Sequence, residues 1–414
     1  MLSKTLMILT HLGRSLWVRV VVIAVFALLA AALAPLLGPV LPEPVTDRLG
    51  EDAVRPVLTI LASTMLAVTT FSLNVMVSAY RAASGQATPR AYRILMEDTT
   101  TQTVLATFVG AFIFSLAAIV LYRAGLYSPA ASVVLFVFTV GVVALIILAI
   151  LRWIGHLSQL GSMDHTLHAI TTRARTSLAA RAARPALGGV PIEGGHPPPA
   201  GAQAVPAPRS GYVQFIDIVR LDAAMREGGG EAIVAAPPGA FIVKGHPLAH
   251  VLGDCGGAPE RLAGYFTLAD QRSFDQDARL GLVILSEIAE RALSPGVNDP
   301  GTAIDVIHRS LALLWETGAP EEGAADVSYP NVRVPEVTAW DLVSDAFGPV
   351  ARDGAGTVMV ARELDAALDR LSAHHDADLA DAAERMRREA RRYTADALTE
   401  AERDALESGL SPFP

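Results

Sequence analysis

The chain has 414 residues, 51% of them hydrophobic and only 18% charged, with a mean hydropathy of +0.38. That balance argues against an ordinary soluble domain and fits a polytopic membrane protein carrying a soluble part. The net charge of −9 gives no electrostatic footprint for nucleic acid, and the single cysteine, Cys255, leaves neither an intrachain disulfide nor enough thiols for a cysteine-built metal site.

Apolar runs predict four spans, near 17–41, 56–77, 104–122 and 130–153, each long enough for a hydrocarbon core of about 30 Å. The first begins after basic residues and ends near small ones, as a signal peptide does. It is longer than a usual signal-peptide core, however, and reads as a retained span. The second is not uniformly apolar. Thr59, Ser63, Thr70, Asn74 and Ser78 fall within about one third of the helix circumference at about 100° per residue. Lipid cannot satisfy such a stripe, so it must face protein or water, either lining a pore or packing helices together.

Between the second and third spans lies a long basic connection that includes Ser84-Gly85-Gln86 and Pro89-Arg90 and leads to Gln102. Gly85 supplies flexibility, Pro89 disfavours helix at Thr88, and Arg90, Tyr92, Arg93, Ile94 and Leu95 suit a short amphipathic helix at the interface. It reads either as a topogenic loop or as a coupling element between the spans and the soluble part. Lys4, Arg14 and Arg19, then Arg81, Arg90 and Arg93, then Arg152, Arg173, Arg175, Arg181 and Arg184 fall on one side of the spans. This bias predicts both termini and the soluble part on the cytoplasmic side of the membrane.

The expected fold is therefore an α-helical integral membrane protein with four transmembrane helices, followed by a cytosolic α+β part made of a small β-sandwich or barrel-like domain and a helical bundle. Its expected divisions are a membrane domain over 1–155, a connecting helix over 156–184, a Pro/Gly/Ala-rich linker without a packed core over 185–209, a β-rich domain over 210–270 and a helical domain over 271–414. Asp164, His165 and His168 on the connecting helix read as a polar face. The glycine and valine pattern after Ser210 resembles lipoyl-type and adaptor β-domains. The candidate hairpin tip over Arg226–Ala236 has no lysine for a prosthetic group, which argues against a carrier role.

In the helical part, Asp277 to Leu293 predicts an amphipathic helix on which Glu287 and Arg291 are spaced to pair. The turn Ser294-Pro295-Gly296-Val297-Asn298-Asp299-Pro300-Gly301-Thr302-Ala303 follows, with Asp299 as N-cap and Pro300 at the first helical position. It reads as a capped interhelical turn, or as a site for an anion or a partner loop. Helices are expected near 338–352, 356–375 and 376–408, with His374 and His375 solvated at a helix end.

These motifs resemble a bacterial family of predicted membrane proteins known as domain of unknown function 2254. The matching residues are Ser84-Gly85-Gln86 with Pro89-Arg90, Gln102 with Phe108, Gly211-Tyr212 with Ile216-Asp217, Gly239 to Leu248, Asp277, and above all Ser294 to Ala303. The resemblance covers nearly the whole chain apart from 185–209 and the extreme C-terminus. It implies an inner-membrane protein with a cytosolic domain, and no established activity.

Enzyme signatures are absent: there is no phosphate-binding glycine loop, nucleophile elbow, His-Glu-x-x-His or dinucleotide fingerprint. Neither a cofactor nor a metal is expected. Two functions compete, an oligomeric ion channel or pore-like transporter gated by the cytosolic part, and a membrane scaffold or sensor whose cytosolic part binds a partner or ligand. The expected partners are membrane lipids, further copies of the chain and an ion or small ligand, with no nucleic acid. Arg90 is expected to meet Asp277 or Asp299.

Overall fold

The computed structural model describes residues 16–37, 51–86, 88–96, 98–157, 161–194, 198–254, 259–317 and 327–408; Cys255 lies outside them. The chain divides at Thr166 and Leu167 into a membrane unit and a mixed α/β unit.

The membrane unit contains α1 (Leu16–Leu37), α2 (Glu51–Gln86), α3 (Pro89–Met96), α4 (Thr99–Arg123), α5 (Pro129–Leu157) and the start of α6 (Met163–Ala183). Four segments, Trp17–Pro35, Val54–Arg81, Thr99–Arg123 and Pro129–Leu157, are long and apolar enough to cross a membrane. The helices overrun the apolar windows because the hydrogen-bonded backbone continues into polar residues once the chain has left the lipid. α2 accordingly runs through Ser84, Gly85 and Gln86, where the sequence suggests a break. α3 is the short amphipathic helix that the spacing of its apolar residues predicts.

Two apolar clusters hold these helices together. One joins Ala31, Ala34, Leu58, Phe114, Ala118 and Leu135, with the Tyr127 hydroxyl donating to the Ala31 carbonyl at 2.8 Å. The other joins Leu61, Met65, Val104, Phe108, Ile146, Ala149 and Trp153. Gly110 lets α1 approach α4, since a β-carbon there would stand 2.4 Å from Ile23 Cγ2. Phe26, Ile60, Phe71, Val137, Leu148 and Leu151 are exposed on the outside of this unit, as residues that face lipid are.

The second unit has two sheets. A five-stranded sheet has the order β1 (Gly189–Ile192), β8 (Tyr329–Pro335), β4 (Glu231–Val234), β6 (Pro247–Leu252), β2 (Gln203–Pro206). A three-stranded sheet has the order β5 (Phe241–Ile242), β3 (Gly211–Ile216), β7 (Phe266–Ala269). β8 runs parallel to both β1 and β4, whereas β6 is antiparallel to β4 and β2. α7 (Ile218–Gly228) lies between β3 and β4 and buries Ile218, Leu221 and Met225.

Three expectations are corrected here. Residues 185–209 are not a linker without a core: they supply β1 and β2, and Val205 is fully buried. The partner of β1 is β8, far along the chain, so no local pattern could reveal the pairing. The β part is likewise not closed within 210–270, because β8 comes from beyond it. The stretch Arg226–Ala236 is the end of α7 followed by β4 rather than a hairpin.

The remaining helices are α8 (Leu280–Leu293), α9 (Pro300–Glu316), α10 (Ala339–Asp353), α11 (Val358–Ser372), α12 (Ala377–Ala397) and α13 (Glu400–Ser408). Their shared core includes Leu282, Leu285, Ile288, Val306, Ile307, Leu314, Val343, Phe347, Leu364, Leu368 and Met386. A capping box of Thr338 and Asp341 starts α10. His374 is buried rather than solvated. Its Nε2 lies 3.1 Å from the Trp315 carbonyl and its Nδ1 accepts from the Asp376 amide at 3.0 Å, so the ring ties α9 to the start of α12.

Candidate functional site

The polar stripe stands on the outer surface of the membrane unit. Thr59, Ser63, Thr70, Asn74 and Ser78 are all exposed, while Leu58, Leu61, Met65 and Ser72 on the opposite face of α2 are buried. Three of the hydroxyls bond back into their own helix: Thr59 donates to the Arg55 carbonyl at 3.0 Å, Ser63 to Ile60 at 3.0 Å and Thr70 to Leu66 at 2.9 Å. This is the usual way a hydroxyl is satisfied on a helix. The Asn74 carboxamide has no such outlet, and among the described residues it makes no hydrogen bond.

The exposed face has a second regularity. Ser63, Ala67, Thr70, Asn74, Val77 and Arg81 are separated by four, three, four, three and four residues, and every one is exposed. Alternating spacings of three and four give a straight seam along a helix that packs against a like helix. Small and polar side chains in that seam permit close approach within a membrane.

At one end of the same unit, Thr88 starts α3, its hydroxyl accepting from the Ala91 amide at 3.3 Å with Pro89 at the first helical position. Ala91 and Ile94 are buried, Arg90 and Arg93 are exposed, and Tyr92 meets Tyr80 edge-on with ring centroids 5.9 Å apart. Gln102 is buried on α4.

Beside this lies a pair that the sequence reading does not single out. Asp98 is the N-cap of α4, accepting from the amides of Thr100 at 3.1 Å and Thr101 at 3.0 Å, and from the Thr101 hydroxyl at 2.5 Å. Its Oδ2 is also 2.6 Å from His156 Nε2 near the end of α5. His156 in turn stacks near Trp153 and meets the His165 ring edge-on at 5.7 Å. Arg19 of α1 reaches the same end, donating to the Thr99 carbonyl and to the Thr103 hydroxyl. Burial opposes ionisation of Asp98, but the hydrogen bonds from His156 and Thr101 outweigh it and hold the carboxyl well below the usual carboxylate range. A capping aspartate directly before Thr99-Thr100-Thr101 is visible in the sequence. Its pairing with His156 follows once α4 is seen to leave, and α5 to return to, the same end.

In the second unit, the turn from Ser294 to Ala303 is exposed over Pro295–Asp299, buried at Ala303, and bonded to itself and to the end of α8. The Val297 and Asn298 amides donate to the Ser294 carbonyl, the Asp299 amide to the Ala292 carbonyl, and the Ser294 hydroxyl to the Arg291 carbonyl. Asn298 adopts a left-handed conformation with φ of +51°. Asp299 caps α9, with Thr302 donating its hydroxyl at 2.6 Å and its amide at 3.1 Å, and these bonds lower the Asp299 pKa. Pro295, Gly296, Val297, Asn298 and Asp299 are all exposed, while Pro300 and Thr302 are half-buried.

Asp277 lies away from that surface. It is almost fully buried, accepting from Arg272 at 2.7 and 3.0 Å and from the Arg279 amide at 3.2 Å. Gly239 touches it: φ there is +90°, and a β-carbon would stand 2.5 Å from Asp277 Oδ2. Two separate motif segments thus meet at one carboxylate. Arg279 passes the chain of ion pairs on to Asp341 and Asp345 of α10. Glu287 and Arg291 are half-buried on α8.

Residues 13–370 match the family described as "Predicted membrane protein (DUF2254)". An uncharacterized protein of Mycobacterium bovis and one of Mycobacterium tuberculosis are each 28% identical over 330 residues, covering 76% of this chain. The chain aligns with 62% of their length, less than two thirds. No solved structure matches it. The chain belongs to the DUF2254 family.

Proposed function

We propose that this family member works as a homo-oligomer in its membrane, with the exposed polar faces of α2 from several copies meeting to wall a narrow, weakly selective ion path that the second unit gates. The observation that carries this reading is that α2 turns its polar, regularly spaced seam away from its own helical bundle. Neutral hydroxyls and a carboxamide along such a path suit passive conduction better than a proton-coupled pump, which relies on intramembrane acids. The arginines at one end of the spans support a cytoplasmic position for the second unit in a bacterial inner membrane.

The test uses the full chain with Cys255→Ser and single cysteines placed along α2. Cysteines at positions 63, 70 and 74 should cross-link between copies, whereas cysteines at the exposed positions Thr64 and Phe71, which lie off the seam, should not. Reconstituted vesicles should show ion flux that Asn74→Leu reduces at least tenfold.

A second reading has its own support. Thr59, Ser63 and Thr70 already satisfy their hydroxyls within the helix, so the seam can serve as dry helix packing in a scaffold or sensor. Cross-linking along the seam with no flux would select that reading, and no cross-linking at any seam position would remove both.

A further inference from the structure

The chain is acidic as a whole, with a net charge of −9, yet one end of its membrane unit is basic. Arg81, Arg90, Arg93 and Arg152 are exposed there, and Arg19 joins them through its bonds to Thr99 and Thr103. α3 belongs to this end. It leads from one membrane-spanning helix to the next, so its backbone lies at the level where spans leave the lipid. Arg90 and Arg93 are three residues apart, which places them on one face of the helix with β-carbons about 5–6 Å apart. Ala91 and Ile94, also three apart, are buried on the adjoining strip of the helix.

No acidic residue occurs in α3. Arg93 makes no ion pair among the described residues. The carboxylate of Asp98, close by in sequence, is already held by Thr100, Thr101 and His156. A helix fixed at the headgroup level, with its apolar face committed to protein and two guanidinium groups turned outward, presents planar donors where phosphodiesters are dense.

We propose that α3 is a binding surface for anionic phospholipid headgroups, with Arg90 and Arg93 donating to the lipid phosphate. The site depends on charge and not on the oligomeric reading above, so it stands or falls separately from it.

The experiment is native mass spectrometry of the full-length protein released from mixed micelles containing phosphatidylglycerol or phosphatidylcholine of the same acyl chains. Wild type should retain phosphatidylglycerol in preference to phosphatidylcholine. Removing each arginine by Arg90→Gln or Arg93→Gln should reduce that preference about fivefold at low salt, and rising ionic strength should weaken it in wild type. Arg90→Lys with Arg93→Lys should keep most of it. Circular dichroism and the unfolding temperature of each variant check that the fold is retained. Equal retention of the two lipids by wild type, or an undiminished preference in a folded double glutamine variant, would overturn the proposal. So would displacement of the lipid by inorganic phosphate at millimolar concentration, which would assign the site to the free anion.

Discussion

Asp98 does two jobs with one carboxylate. It satisfies the first amides of α4 and it faces His156 at 2.6 Å, so removing it strips a helix cap and leaves a largely buried imidazole without its acceptor. Asp98→Ala should therefore cost about 2 kcal/mol or more, with His156→Gln costing less because the cap survives. Unfolding in detergent, followed by circular dichroism, orders the two variants. Gly239 gives a second single-residue test. Gly239→Ala must place a β-carbon against the Asp277 carboxylate in a backbone region that L-residues avoid. A loss of about 2–3 kcal/mol is expected, measured as a lower unfolding temperature of the α/β unit. Gly239 and Asp277 can both be noted in the sequence, but their meeting cannot, because it depends on the turn before β5 folding over the segment that leads into α8.

Among the elements, α11 and α12 are joined by two carboxylates, Asp365 and Asp369, and two arginines, Arg387 bridging both carboxylates. Asp365 accepts from Arg387 at 3.0 Å through both oxygens and from Arg391 at 2.7 and 3.1 Å. Burial works against its charge, yet the bonds and charges of Arg387 and Arg391 prevail and set its pKa to about 2, below the 3.8 of a free aspartate. A depressed carboxylate contributes stability that is present in full above the unfolded value and is lost as pH falls through the folded one. Wild type should thus lose stability relative to Asp365→Asn as pH falls from about 4 to about 2, and acid titration of the unfolding temperature measures the convergence. The strand region makes a different point. Helices α8 to α12 are legible from apolar spacing because their partners lie in the neighbouring turn, and the four spans because length and apolarity alone define them. β1 and β2 are hidden in a stretch rich in proline, glycine and alanine, and their ladder partners, β8 and β6, lie elsewhere in the chain. Val205→Asp places a charge in the sheet core, and should make the α/β unit protease-sensitive at a concentration that leaves wild type intact.

At the scale of the whole molecule, composition reveals the membrane half and the turn residues reveal a capped helix start, but neither reveals which surfaces remain open. The polar stripe was legible as five residues on one helix face. That this face points away from the bundle required the positions of α4 and α5, which pack against the opposite side of α2. The most specific sequence motif, Ser294 to Ala303, folds as an exposed turn whose polar groups bond one another, while Asp277 and Gly239 serve the interior. Asn298→Ala should cost about 1 kcal/mol through its left-handed backbone and Asn298→Gly almost nothing, a contrast that separates backbone demand from side-chain recognition.

The length of α2 has a mechanical side. Its 36 residues form an unbroken helix of about 54 Å, against a hydrocarbon core of about 30 Å. Pro56 near its start removes one backbone donor, but a helix hydrogen-bonded beyond that point cannot shorten, so a thinner or thicker bilayer is met by inclination rather than by compression. The seam from Ser63 to Arg81 is carried round with that inclination. In the oligomer we propose, acyl-chain length in the surrounding lipid thereby becomes a control on the angle at which one copy presents this face to the next.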